Sequence, residues 1–376
     1  MILQFSDWLN EKEDMNESRV NLKLDLPKDI LDIHKQFMKR GYSLYVVGGA
    51  VRDAILGKRP KDFDLATEVS PKEIIKIANK NKWSVVTVGE AFGVVIVNGH
   101  EIATFREDIG VGRRPDSVKF STIDKDVKRR DLTINALFYD ITKGEIVDLV
   151  GGERDLKNKT VRTVGDPKQR FMEDPLRKLR ALRFHGLLGG NMDAGTLTAL
   201  KEDPDISKVS TERIRDEFTK SIEKTKSVKT YLELCYELGF LEQIFSGLEI
   251  STDFIEEKDI KLLFAWLLRT NDIKTVEKIL NKLNWTKKEV YDISVLLKLI
   301  DFSEEDVVQL KKLQNQSTLD DKTIKRWGTI VGTDFDKFIK FRLTVRGSDA
   351  PKELKFQEIG KWVDDKEYQN YKSLQK

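Results

Sequence analysis

The hydrophobic positions of the chain follow two patterns that meet near residue 150. Before that point, SLYVVGG (43–49), WSVVTVG (83–89), FGVVIVNGHEIATF (92–105) and DSVKFST (116–122) are short runs rich in β-branched residues. Such runs, separated by helical pieces, predict the strands of a compact α+β domain. Asn98-Gly99, flanked by GVVIV and EIATF, is a hairpin turn dipeptide. After residue 150 the apolar positions recur at helical spacing. FMEDPLRKLRALRFHGLL, STERIRDEFTKSIEKT, VKTYLELCYELGFLEQIF, IKLLFAWLLRT and TVEKILNKLNW all show it. The expected organisation is an N-terminal extension over 1–27, an α+β domain over 28–150, and helical segments over 151–225, 226–300 and 301–376. The boundaries near 225 and 300 rest on Ser, Thr and Asp punctuation.

Composition narrows the classes. Hydrophobic residues at 39% and charged residues at 34% are enough for a folded chain with a sizeable core. A net charge of +3 means that any polyanion is held by local clusters of Lys and Arg rather than by a global field. The single cysteine, Cys235, excludes an internal disulfide and sits in the apolar run YLELCYELGF, where a small buried residue is expected. His34, His100 and His185 lie far apart, so a metal would have to be held by oxygen ligands. The start, MILQFSDWLNEKED, lacks a basic n-region, and no run reaches the roughly 18 apolar residues of a membrane span, which places the expected location in the cytoplasm.

The chemistry concentrates in GGAVRDAILGKRPKDFDLAT (48–67). Gly48 and Gly49 end a buried strand and open a helix, where backbone N–H groups can approach phosphate, although a tight strand-to-helix turn needs the same residues. Asp62 and Asp64 stand at i and i+2, the spacing that puts two side chains on one face of a strand. Two adjacent carboxylates repel unless a cation lies between them, and divalent ions favour such oxygen ligands. Taken alone the pair also fits a solvated turn. Glu101, at the start of the second hairpin arm, is a candidate third acid. Together, a phosphate-binding turn and strand-borne carboxylates are what nucleotidyl transfer through two metal ions requires.

These residues resemble a known family. YVVGGAVRD and KDFDLAT, followed by EIATFR, VKRRDLTINALFYD, RFMEDPLRKLRALRF, STERIRDEFTK and LTVRGSDAPKELKFQEIGKWV, are similar to the motifs of class II tRNA nucleotidyltransferases and poly(A) polymerases, over about 28–365. The resemblance implies an α+β fold: a nucleotidyltransferase-type palm with a mixed β-sheet as head, then an all-α neck, body and tail. It implies that Gly48, Gly49, Arg52 and Asp53 serve nucleotide phosphate and packing, and that Asp62 and Asp64 bind metal, with two Mg2+ ions expected and Glu101 as the third carboxylate. Arg129, Arg130, Asp131 and Asn135 would handle ribose and triphosphate, with Arg180 also at the nucleotide. Asp148 to Gly152 match the family's flexible connector between head and neck.

Asp174 and Arg177, in EDPLRKLR, match a protein template for the incoming base. A carboxylate accepts from the exocyclic amine of cytosine or adenine, and a guanidinium donates to their ring acceptors, whereas uracil and guanine present N–H there. Without the resemblance, Asp174 reads as a helix cap before Pro175, and Glu173 with Arg177 as a surface i, i+4 pair. The implied activity is CCA addition to the tRNA acceptor end from CTP and ATP. Poly(A) synthesis, partial addition of C or A, and RNA binding without catalysis are the alternatives. The short segment from EDIGVG (107–112) to the RRD motif favours the tRNA-repair branch. Lys168, Arg170, Lys178, Arg180, Arg183, Lys208, Arg213 and Arg215 are candidates to track an RNA backbone. A histidine-dependent phosphohydrolase domain has no counterpart, since no histidine follows His185.

Overall fold

The computed structural model describes residues 24–109 and 117–374. They form two compact units that divide between Ile206 and Ser207. The first is built on a seven-stranded mixed sheet. Its strands are β1 (Tyr45–Val47), β2 (Asp64–Thr67), β3 (Val85–Val86), β4 (Val94–Val97), β5 (His100–Thr104), β8 (Phe138–Asp140) and β9 (Glu145–Val147), in the order β3-β4-β5-β2-β1-β8-β9. β2 and β5 run parallel and the other neighbours antiparallel. Among the described residues β6 (Arg106–Ile109) and β7 (Ser117–Phe120) form a separate two-stranded sheet, so the strand of DSVKFST, expected among the strands of the domain, lies outside its main sheet. The NG turn behaves as its sequence predicts: Val97 faces His100, and Asn98 and Gly99 both take positive φ, 50° and 86°.

The central strands β1, β2 and β8 are buried at every position except Asp64, which is exposed, and Tyr45, which is half-buried. On one face Tyr45, Phe105 and Phe138 meet with ring centroids 5.7 to 6.3 Å apart, packed among Val47, Ala66, Val127 and Val164. Helices follow, Pro167–Glu173 and Leu176–Leu188 among them. Two short parallel strands, β10 (Thr160–Val161) and β11 (Asn191–Met192), interrupt the helical pattern expected beyond residue 150.

The expected loose connector is stitched down. The Asp148 carboxylate accepts N–H bonds from Val150 (3.1 Å), Gly152 (3.0 Å) and Glu153 (2.9 Å), which caps the helix Gly152–Lys157. A side chain at Gly152 would strike the Thr133 carbonyl, its Cβ only 2.3 Å from that oxygen. Close backbone contact, rather than flexibility, accounts for this glycine.

The second unit is entirely helical among its described residues, with ten α-helices from Thr211–Lys224 to Phe356–Ser373. Local sequence sets their ends: Thr286 and Glu289 form a reciprocal capping box at Lys287–Lys298. Phe218, Phe245, Phe264 and Trp285 form its aromatic centre, with ring centroids 4.8 to 6.0 Å apart. Cys235 is buried as expected, and burial pushes its thiol up to about 12. No helix among the described residues is long and apolar enough to cross a membrane.

Candidate nucleotide-binding site

Pairing of the central strands creates the site. In the antiparallel β1–β2 pair Val47 faces Asp64, and in β1–β8 it faces Phe138, so the glycine turn after β1 emerges beside the first residue of β2 and the segment before β8. Gly48 has φ 69° and ψ −120°, a conformation that L side chains rarely adopt, and its N–H donates to the Leu137 carbonyl at 3.0 Å. The helix Gly49–Ile55 starts there.

A cleft of about 340 Å³ opens at this junction, lined by Gly48, Gly49, Arg52, Asp64, Arg130, Asp131, Asn135, Arg180, Arg183 and Phe184. Seven of these ten were expected at the nucleotide from the sequence, and Asp64 was expected as a metal ligand. Arg183 was expected on RNA instead, and Phe184 carried no expectation. Asp53, Asp62, Glu101, Arg129, Asp174 and Arg177 are not among the lining residues.

The cations in the cleft are held by a connected set of bonds. Arg52 donates to Asn135 Oδ1 (2.6 Å) and to Asp53 Oδ1 (2.7 and 2.9 Å). Arg180 donates to Asp131 Oδ2, 2.7 Å from Nε and 2.6 Å from Nη2. Burial pushes the Asp131 carboxyl up, but Arg180, the Leu132 N–H and Asn135 outweigh it and hold the group below its ordinary range. Arg130 lies with its Cζ 4.6 Å from the centre of the Phe138 ring, and burial lowers its pKa against the pull of Asp126.

Asp126, which sequence reading passed over, joins two halves of the site. It is 1% exposed. One oxygen accepts Arg129 Nε and Nη2 (2.9 and 2.6 Å), and the other accepts Arg130 Nε and Nη2 (3.1 and 3.0 Å). The carbonyl of Arg129 in turn accepts Arg177 Nη2 at 3.0 Å. Arg177 Nη1 donates to Glu173 Oε2 (2.6 Å) and to the Arg170 carbonyl (3.2 Å). The Glu173–Arg177 pair is therefore partly buried rather than a surface pair, with side-chain exposures of 25% and 17%. Asp174 does cap: its Oδ1 accepts the Leu176 N–H at 3.2 Å, and its carbonyl accepts the Arg177 N–H.

The carboxylates lie at the edge of the sheet. β2 begins at Asp64, so Asp62 precedes the strand instead of sharing it, and both residues are exposed. Burial by surrounding protein raises the Asp64 carboxyl, Arg130 opposes the shift, and the charge of Asp62 adds to it. Because Leu65 pairs with Ile102, the parallel register sets Glu101 level with Asp64. No group of three acidic, histidine or cysteine side chains able to hold a metal occurs among the described residues.

Two candidate RNA contacts are spent on the fold. Lys178 is 1% exposed and ion-pairs with Asp203 at 2.9 Å, and Arg170 is bound to Glu173 at 2.5 Å. Lys168 pairs with Glu202 at 2.6 Å but stays exposed. The loop end Gly110–Gly112 lies outside the described residues.

A mixed sheet whose glycine turn and Asp64 open on an arginine-rich cleft defines the class: the head has a nucleotidyltransferase fold. Residues 44–162 match the poly A polymerase head domain, and residues 191–251 match the probable RNA and SrmB-binding site of polymerase A. The CCA-adding enzyme of Bacillus pumilus is 35% identical over 68% of this chain and 71% of its own length. That of Bacillus licheniformis is 40% identical over 58% of this chain and 56% of its own, so this match spans little more than half of that relative. Poly(A) polymerase I of Haemophilus influenzae is 32% identical over 68% of this chain and 59% of its own. The crystal structure of the Bacillus stearothermophilus CCA-adding enzyme in complex with CTP superposes with a TM-score of 0.66 at 26% identity, covering 92% of this chain and 91% of that one. The chain belongs to the family of class II tRNA nucleotidyltransferases and poly(A) polymerases.

Proposed function

We propose that this protein adds CCA to the 3′ end of tRNA, taking CTP and ATP and releasing pyrophosphate. The observation that carries the reading is the single cleft where the glycine turn, Asp64, Arg130, Asn135 and Arg180 meet. A space bounded by guanidinium groups and a backbone turn suits a triphosphate, since charge-assisted N–H bonds to phosphate are strong and directional. Asn135 and Asp131 supply a neutral and an anionic group for the ribose hydroxyls. CTP as a ligand of the Bacillus stearothermophilus relative agrees with this assignment.

Asp62 and Asp64 are the residues that would hold divalent metal, Mg2+ by the chemistry of the donor set, with Glu101 beside them by register. Burial raises the Asp64 carboxyl against the pull of Arg130, and the charge of Asp62 adds a smaller repulsion that a bound cation would relieve. When bound, two such ions would activate the attacking 3′ hydroxyl and neutralise charge on the leaving pyrophosphate. The cleft arginines orient the triphosphate for in-line displacement. Base choice belongs to Asp174 and Arg177. The guanidinium of Arg177 is fixed by Glu173 and two backbone carbonyls, and a template that reads donors and acceptors needs that rigidity. The helices beyond the cleft are assigned to the tRNA acceptor arm.

Incorporation of labelled CTP into tRNA lacking its terminal CCA tests the chemistry. The reaction should require a divalent ion and be abolished in Asp62→Ala and in Asp64→Ala, with folding and tRNA binding retained. Near-normal turnover in both variants would overturn the metal assignment.

A further inference from the structure

Phe184 reaches three cationic side chains of the cleft. The Cζ atoms of Arg183, Arg52 and Arg180 lie 4.2, 4.9 and 5.7 Å from the centre of its ring. The ring is 2% exposed, although it contributes to the cleft wall. Arg180 and Arg183 come from its own helix, Leu176–Leu188, whereas Arg52 comes from Gly49–Ile55, so one side chain spans the glycine-turn motif and the EDPLRKLR motif. We propose that Phe184 is the positioning residue that gathers Arg52, Arg180 and Arg183 around the triphosphate without neutralising them; this rests on the nucleotide reading of the cleft.

The reasoning concerns what else could hold three like charges together. A carboxylate holds a guanidinium by accepting its N–H groups and cancelling its charge, both of which a polyanionic ligand needs. Asp53 and Asp131 already act in this way on Arg52 and Arg180. An aromatic ring attracts a cation through its quadrupole, accepts no strong hydrogen bond, and leaves the charge intact. The ring thus helps set the positions of the guanidinium planes without itself taking any of their N–H donors. An aliphatic side chain of similar volume would fill the same space but supply no such attraction.

The test is calorimetric binding of inorganic tripolyphosphate and of CTP to the full chain, with steady-state kinetics alongside. Phe184→Leu should weaken both ligands about tenfold, the effect of losing two or three contacts of this kind. KM for CTP and ATP should rise while kcat changes little. Mono-, di- and trifluorophenylalanine placed at position 184 keep the shape of the ring while draining its quadrupole. Affinity should fall stepwise along that series with an unchanged melting temperature, which a packing role alone does not predict. Equal tripolyphosphate affinity across the fluorinated series would overturn the proposal and leave the nucleotide site standing. Failure of the wild-type chain to bind tripolyphosphate or CTP would instead remove the nucleotide reading, and this inference with it.

Discussion

Arg177 is the residue on which base choice turns, and it also has structural work in the fold. Its contacts with Glu173 and the carbonyls of Arg129 and Arg170 mean that Arg177→Ala lowers the melting temperature whether or not the residue reads a base. The discriminating readout is nucleotide choice. The template predicts that preference for C and A over U and G falls by about 1 to 3 kcal/mol, measured by competitive incorporation. A variant that is less stable but keeps the wild-type preference would reduce Arg177 to a structural tie. At this scale the sequence was most legible where the backbone or an apolar run leaves a mark in a short window, as with the turn at Gly48 and the burial of Cys235. It was silent on Asp126 and Phe184. Asp126 lies in a polar, charged run that reads as solvated, and only the tertiary fold shows its burial against two arginines. Phe184 sits in an apolar helix stripe, where a core residue and one that gathers arginines look the same.

Among the elements, the turn into Gly152–Lys157 carries the clearest pH dependence. Glu153 has one carboxylate oxygen buried without a hydrogen-bond partner, and burial together with Asp148 pushes its carboxyl up to about 7 from an ordinary 4.5. The folded chain therefore holds a proton that the unfolded chain releases between those two values. The stabilising contribution of this proton is complete below about 4.5 and disappears as pH rises through about 7. Glu153→Gln mimics the protonated form. It should match the wild-type melting temperature near pH 5 and exceed it near pH 8; an equal offset at both would contradict the assignment. Elements were legible in proportion to how local their determinants are. The Asn98-Gly99 hairpin could be read because a two-residue turn with positive φ selects its own residues. Strand partners could not, since β7, a short alternating run like β5, pairs among the described residues with β6 and not with the main sheet. The resemblance implied a flexible connector at DLVGG, where Gly152 makes a close approach to the Thr133 backbone that the sequence does not display.

For the molecule as a whole, the change from mixed to helical structure was legible in the sequence, whereas the division into two compact units after Ile206 falls where its punctuation leaves no mark. The division at Ile206 follows contacts that composition does not display, including Lys178 holding Asp203 and the Asp205 carbonyl. A chain ending at Ile206 should melt cooperatively and bind CTP but lose selectivity for tRNA. Affinity of the full chain for tRNA should fall steeply with salt, as phosphate contacts require. Full tRNA activity from the truncated chain, or salt-insensitive binding, would contradict the role given to the helices. The central claim is CCA addition, and the most direct measurement is the length and sequence of product formed on a tRNA ending just before CCA, with CTP and ATP offered separately and then together. The account predicts two C residues from CTP alone and a completed CCA from both nucleotides, with no further growth. Long A tails, extension that stops at C when both nucleotides are present, a requirement for a preformed CC end, or no extension at all would contradict it.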